Sequence, residues 1–498
     1  MAVRVNSLRL LTPVGFIAAI TLLLRAGSFW GEQIDWDEWS FILMGADVAR
    51  GHLPFVHQFD LKPPLVFFAF GATIALFGKS LLAIRLLGAL CVFTSAVLVF
   101  LITRRSVGDW PALAGALLTV ALASAPFGLA TSSELPAIAF LSAAVWRLSR
   151  HPLADRDAAL GGVLVALAVL TRTNLALVAL AFGLLLLLAA RSPRLCVSRT
   201  AWLAYGLAGL VPPLLLLLAY AAAGELSTLR LAMVDVPLAY SGQLTVPEVA
   251  SQHAVQFYYT LVDTPLLFAP AVLLLLCGTG VAIPRMLSTA EDAHRWMLMT
   301  GAVGLAAVAC SLLIGGAAYP HYWLQLMPFA GCFAAVAVKG AVQRGRTTRW
   351  LAVLLVLLPL AAALSASVSR ARSTYSSPCD IAEAASHIRA HEKSTPAVWA
   401  LHKHLIHWFL DAPQLSRASV HPDNLARHAI IDTLAEHDYV GRNEVARLMS
   451  LKPKYVVTDA AGKGVAWVRD DGADIDSWLS AHYSLDARFG DVLVYRRR

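Results

Sequence analysis

Acidic residues crowd the stretch DWDEW, where Asp35, Asp37 and Glu38 stand almost side by side. Asp60 and Lys62 follow in FDLKPP, Glu134 in SSELP, Arg172 in LTRTN, and His321 and Tyr322 in PHYWL. Carboxylates of this kind can take a proton from a hydroxyl or hold a divalent cation. Lys62, Arg172 and His321 offer N–H donors to a phosphate. A carboxylate base combined with cationic phosphate ligands suits group transfer from a phosphate ester. The base deprotonates an acceptor hydroxyl while the cations stabilise the departing phosphate as its charge develops.

These residues must be positioned by elements made for lipid. The 498 residues are 58% hydrophobic and 14% charged, against about 45–50% apolar in a soluble domain. Apolar runs near 20 residues long recur along the chain, whereas the ten-residue alternation of a membrane β-barrel is absent. The chain therefore reads as an all-α polytopic membrane protein. Candidate spans cover 10–30, 81–103, 111–129, 134–149, 157–171, 174–190, 201–223, 264–283, 296–316, 322–338 and 350–368. The first has a short basic stretch before it and no clean small-residue cleavage site after it, and reads as an uncleaved anchor. The net charge of +8 sits mostly in short loops near 104–105, 147–156, 191–199, 285–295 and 339–349. That pattern orients helices with these loops and the N-terminus in the cytoplasm, and does not point to nucleic acid. The acids, Arg172 and His321 then all fall on the opposite, outer face, where ionisable groups near lipid mark a site. Trp30, Trp110, Trp202, Trp296, Trp323 and Trp350 stand at span ends, as interfacial anchors do.

The apolar run Pro63–Phe77 breaks the alternation if it crosses. Short and led by two prolines, it reads as a helix along or briefly entering the outer interface. That leaves eleven spans, with residues 1–370 as the membrane domain and its outer loop at 31–80. SRARSTYSSPCD reads as a linker into a small α/β outer domain, 371–498, with a helix in IAEAASHIRAHE and strands in AVWAL, KYVVTD and DVLVYRR. In HKHLIHW, His404 and His407 have a helical metal-ligand spacing, but the histidines of this region read better as exposed groups of a soluble domain. The six cysteines, Cys379 among them, have no metal or disulfide spacing. In the outer segment 224–263, Tyr240, Tyr258 and Tyr259 can stack on a sugar or anchor at the interface.

The stretch DWDEW…ARGHLPFVHQFDLKPPLVFF resembles the first outer loop of GT-C glycosyltransferases, in the superfamily of protein O-mannosyltransferases and lipid A aminoarabinose transferases (glycosyltransferase family 39-like). SSELPAIAF, LTRTNLAL and PHYWLQLMP resemble later segments of that superfamily, in the same order, over residues 30–340. The resemblance implies a GT-C fold and inverting transfer of a sugar from a polyprenyl-phosphate donor on the outer side of the membrane. The acceptor would be a lipid, a polysaccharide or a protein, and the membrane a bacterial inner membrane. By resemblance Asp37 is the catalytic aspartate, with Asp35 its rival in DWDE, and Glu38 is its partner. Glu134 is the second acid. Lys62 contacts the donor phosphate, His321 lies near it, and Arg172 and Tyr322 are weaker matches. Asp60 either positions Lys62 or helps hold a divalent cation. A transporter or flippase of a lipid-linked precursor is the alternative. It would be expected to show repeated halves and midplane charges, and the sequence has neither.

Overall fold

The computed structural model describes residues 7–32, 35–192, 195–287, 292–315, 317–376, 380–460 and 475–498. Cys379 lies outside the described residues. Contacts divide the chain into two compact units. The first comprises Met1–Phe29, Arg85–Leu216 and Leu244–Arg372, and the second Trp30–Ile84, Leu217–Gln243 and Ser373–Arg498.

The first unit is helical, and each candidate span contains helix, although several spans extend a few residues beyond it. Among the described residues seven helices are long and apolar enough to cross a membrane, including Leu81–Val107, Pro265–Met286 and Asp292–Leu313. Asp109–Ala123, Glu134–Leu148 and Asp155–Val169 have only 15 residues each, about 22 Å at the α-helical rise. Asp109–Ala123 buries all but four of its residues, so neighbouring helices rather than lipid cover most of it. Helix Ala201–Gly209 and its continuation to Ala223 do the reverse and expose Leu203, Leu207, Leu214, Leu215 and Leu218. Close packing relies on small residues: a Cβ on Gly115 would stand 2.3 Å from the Gly331 carbonyl oxygen. Trp296 and Trp323, expected as interfacial anchors, are buried, and the Trp296 indole donates to the Leu148 carbonyl. A large ring with one donor is as useful between helices as at the interface.

Two buried arginines shape the turns of this unit. The Arg25 guanidinium donates to the carbonyls of Ala123, Gly128 and Leu129 at 2.7–3.0 Å, and so fixes the turn that leads into Glu134. Arg85 donates to the Ser28 carbonyl at 2.7 Å.

In the second unit, helix Trp36–Ala49 crosses helix Pro64–Phe77, the proline-led apolar run. The crossing point is Gly45 against Gly71, flanked by Phe41 edge-on to Phe67 and Phe70. A Cβ on Gly45 would meet the Phe70 Cβ at 2.6 Å and the Gly71 nitrogen at 3.0 Å. Gly45→Val is therefore expected to cost about 1–3 kcal/mol through overpacking, read as a lower melting temperature of the purified protein. An unchanged melting temperature would mean that the helices can separate without cost.

The rest of this unit is α/β. Strands β1 (Val398–Ala400), β2 (Tyr455–Asp459), β3 (Tyr483–Phe489) and β4 (Val492–Arg497) form a sheet in the order β1-β2-β4-β3. β1 and β2 are parallel, and the other pairs are antiparallel. The expected linker is largely helical, because helix Arg346–Ser376 continues through it. SRARSTYS contains no Pro or Gly to stop a helix before Pro378. The Glu32 carboxylate accepts from the backbone N–H groups of Ile381 and Ala382 at 3.0 and 3.3 Å, capping helix Asp380–Ala390. Burial pushes this carboxyl up to about 7, the two N–H donors pull against it, and Asp380 and Glu383 add to the rise. The folded state thus holds a proton that the unfolded chain, with an ordinary value of 4.5, releases earlier. Stability should therefore fall as pH rises from about 4.5 to about 7 through this one group. Melting curves across that range are expected to show a shallower decline in Glu32→Gln, and parallel declines would remove Glu32 as the cause.

The histidines of HKHLIHW are not exposed. His402, His404 and His407 are 3%, 0% and 3% accessible, and helix Ile406–Leu410 begins after His404, so His404 and His407 do not share a helix. Trp36 covers His402 and Trp39 covers His404, with ring centroids 5.4 and 5.2 Å apart, and His407 Nδ1 bonds to the Ala412 carbonyl at 3.2 Å. Burial holds His402 and His407 down to about 4 and His404 to about 3, where nearby His421 also contributes.

Candidate active site

The second unit gathers its acids at the start of helix Trp36–Ala49. Asp35 is the N-cap, with extended backbone, and its carboxylate accepts from the Asp37 N–H at 2.8 Å. That is the ordinary work of an Asp before a first helical turn. Asp37 follows in that turn, where the helix dipole favours a negative charge. Its Oδ2 lies 3.1 Å from Lys62 Nζ and its Oδ1 3.2 Å from His421 Nε2. The Asp37 side chain is 15% accessible, so the carboxylate is sheltered but reachable. Glu38, the next residue, is fully buried.

Lys62 is held from its other end. Its backbone N–H donates to Asp60 Oδ1 at 3.0 Å, and Pro63 and Pro64 then start the next helix. Asp60 is 3% accessible. Burial pushes its carboxyl above the ordinary value, Lys62 and His421 oppose this, and Asp37 adds to it. The two carboxylates thus share two basic neighbours, and the cluster can balance its charge from its own side chains. The bond from the Lys62 N–H fixes the Lys62 backbone against Asp60, and a carboxylate is also a ligand type that a divalent cation accepts.

His421 is the residue that sequence reasoning did not single out. It is the N-cap of helix Pro422–Ala426, and its Nδ1 accepts from the Asp423 N–H at 3.1 Å. Nδ1 is thereby committed as acceptor, so in the neutral ring Nε2 carries the hydrogen and donates to Asp37. Burial favours the neutral ring, but the carboxylates of Asp37, Asp60 and Asp423 together outweigh it, Asp37 most, and raise the imidazole above its ordinary value. Protonation puts a second hydrogen on Nδ1, so the charged ring gives up its capping bond. The one local signal was His-Pro-Asp, a helix-start pattern.

The first unit brings together four other expected residues. Arg172 connects helices Asp155–Val169 and Ala176–Ala189 through a short turn. Its guanidinium lies 3.1 Å from Glu134 Oε1 and 3.4 Å from Ser133 Oγ, and 4.4 Å above the Tyr322 ring. Glu134 is fully buried, and Arg172 is 7% accessible. Tyr322 and His321 lie in the 3-10 helix Pro320–Leu326; His321 stacks on Tyr319 and meets Tyr322 edge-on. Asn174 ties the turn down by donating to Gln325 Oε1 and Ser311 Oγ at 2.9 and 3.0 Å. A cation between a carboxylate and an aromatic face is fixed in position and strengthened by its dry surroundings. Tyr240, the remaining candidate, is in the second unit, buried, with the Arg427 guanidinium 5.3 Å from its ring centre.

Residues 61–217 match the family described as dolichyl-phosphate-mannose-protein mannosyltransferase. No curated protein matches the whole sequence significantly. The fold is similar to ArnT from Cupriavidus metallidurans bound to undecaprenyl phosphate, with a TM-score of 0.65, 14% identity, and 97% of this chain and 98% of that one covered. The apo state of the same protein gives 0.63 and 15%, with 97% of each chain covered. The archaeal oligosaccharyltransferase AglB from Archaeoglobus fulgidus, in complex with an inhibitory peptide and a dolichol-phosphate, gives 0.53 and 13%, covering 98% of this chain and 74% of that one. The chain thus has the fold of ArnT and, more distantly, of AglB, and over residues 61–217 its sequence is similar to the dolichyl-phosphate-mannose-protein mannosyltransferase family.

Proposed function

We propose that this protein transfers a sugar from a polyprenyl-phosphate donor to an acceptor outside the cytoplasm, with inversion at the anomeric carbon. The observation that carries the reading is the Asp37 carboxylate, sheltered and held between Lys62 and His421. Asp37 takes the acceptor hydroxyl proton as the acceptor oxygen attacks the anomeric carbon. The bond from that carbon to the phosphate oxygen breaks, and polyprenyl phosphate leaves with the electron pair. Lys62 stabilises the charge that appears on the phosphate. Asp35 caps the helix in this reading, which leaves Asp37 as the base, and Glu38 packs behind it.

In the helical unit, Arg172, Tyr322 and His321 keep the donor-phosphate role that the sequence assigns them, and Glu134 acts by holding the Arg172 guanidinium in place. Glycosyl transfer with ArnT bound to undecaprenyl phosphate and AglB to a dolichol-phosphate as fold relatives supports a lipid-phosphate donor here. The basic loops support an N-terminus in the cytoplasm and residues after 370 outside it, and the family resemblance supports a bacterial inner membrane. Tyr240 is a candidate contact for the acceptor or the sugar.

The test is incubation of the purified protein with a panel of polyprenyl-phosphate sugars and candidate lipid, polysaccharide and protein acceptors. Glycosylated acceptor and free polyprenyl phosphate in equal amounts support the reading. Neither product from any pair, with no donor binding by calorimetry, would overturn it.

A further inference from the structure

The loop between the two crossing helices of the second unit holds a second cluster, separate from Asp37. Asp47, in the last turn of helix Trp36–Ala49, has His52 Nδ1 at 2.9 Å from Oδ1 and His57 Nδ1 at 3.2 Å from Oδ2. The two imidazoles meet edge to face with centroids 4.1 Å apart. All three ligand atoms lie within 4.8 Å of one another. Around a tetrahedral ion with bonds of about 2.0–2.2 Å, ligand atoms stand about 3.3–3.5 Å apart. The two carboxylate–imidazole distances are within a few tenths of an ångström of that spacing, and closing the widest pair takes at most about 1.5 Å, which rotation of two exposed imidazoles can supply.

The backbone is built to bring these side chains back to Asp47. Gly51 turns the chain at φ +96° and Phe55 at φ +69°, both in the left-handed region. The segment between and just after the histidines is pinned. The Tyr220 hydroxyl donates to the Pro54 carbonyl at 2.7 Å, the Tyr439 hydroxyl to the Phe55 carbonyl, and the Phe59 N–H to the Arg417 carbonyl at 2.7 Å. Phe55 and Phe59 are fully buried beneath it. A loop held on the inner side presents His52 and His57 outward, 42% and 47% accessible, beside an Asp47 side chain that is 8% accessible. Arg50 Nη2 also reaches Asp47 Oδ1 at 3.0 Å, but its side chain is 58% accessible and free to swing away.

We propose that Asp47, His52 and His57 form a binding site for a divalent transition-metal ion, with zinc the best match to two imidazoles and one carboxylate. Magnesium and calcium prefer an all-oxygen set and fit less well. Three protein ligands leave at least one position for water or an outside donor. The ion would tie the end of the helix that carries Asp37 to the loop that delivers Lys62, and so hold their spacing. Its binding does not depend on the transfer reading.

The test is metal analysis of the full-length protein, with any affinity tag removed, after equilibration with zinc and passage over a desalting column. About one zinc per chain is expected in the wild type, with a rise in melting temperature on adding zinc but not magnesium. His52→Ala/His57→Ala and the isosteric Asp47→Asn should lose both the bound zinc and the rise. Both variants should match the metal-free wild type in dispersity, since the altered groups are exposed or unchanged in shape. Zinc content equal in the wild type and both variants, or no retained zinc in the wild type, would overturn the site.

Discussion

Asp37→Asn is expected to abolish sugar transfer while leaving the protein folded and inserted. Asn keeps the size of the side chain, and its one oxygen can still accept from either Lys62 Nζ or His421 Nε2, which bind separate carboxylate oxygens at 3.1 and 3.2 Å in the wild type. It cannot take a proton from an acceptor hydroxyl. Loss of a positioned general base costs about 10²–10⁴ in rate, and loss of the negative charge also alters both neighbours. Burial lowers His421, and Asp37, with help from Asp60 and Asp423, raises it above its ordinary value. Without the Asp37 charge the neutral ring, which keeps its cap on Asp423, is favoured more, and Lys62 retains the nearby Asp60 as its acid. The melting temperature should therefore stay near that of the wild type while product formation falls to the detection limit. Asp35→Asn separates the two aspartates of DWDE. An amide oxygen still accepts from the Asp37 N–H, so activity should fall far less. A wild-type rate in Asp37→Asn, or an equal collapse in Asp35→Asn, would move the base away from Asp37.

Asp37 and Lys62 were legible together because both lie in one charged loop between apolar runs, and Pro-Pro announces where that loop ends. The Glu134–Arg172–Tyr322 group was legible for a different reason: alternating basic loops put three distant motifs at corresponding helix ends. His421 was not. Its part depends on how the C-terminal residues pack on helix Trp36–Ala49, and no local pattern encodes that packing. The same packing covers His402 and His404, which look like surface residues when read as polar sequence. Strand β3 escaped notice because it is an edge strand with mostly exposed side chains, which removes the apolar alternation that reveals a half-buried strand. The helix through SRARSTYS shows the limit of reading a polar stretch as a linker, since composition sets solubility while only Gly or Pro stops the helix.

Arg172→Met and Glu134→Gln, made singly and together, should separate stability from function in the helical unit. The pair is 3.1 Å apart, with side chains 8% and 0% accessible. Removing either charge leaves its partner uncompensated in dry surroundings, which costs about 3–5 kcal/mol. Arg172→Met also removes the cation above Tyr322 and the donor to Ser133, so it should be the more damaging single change. Replacing both charges removes the stranded ion, and such double replacements are often neutral. The double variant should therefore regain most of the lost thermal stability. Transfer is expected to behave differently. If Arg172 supplies a fixed positive charge to the donor phosphate, methionine cannot replace it, and the recovered protein should bind the polyprenyl-phosphate donor weakly and stay inactive. Arg172→Lys, with its charge kept and its planar fork lost, should fall between the two. Recovery of both stability and transfer in the double variant would assign the pair to holding helix ends together. Single variants as stable as the wild type would show that water reaches this pair and that its burial strands no charge.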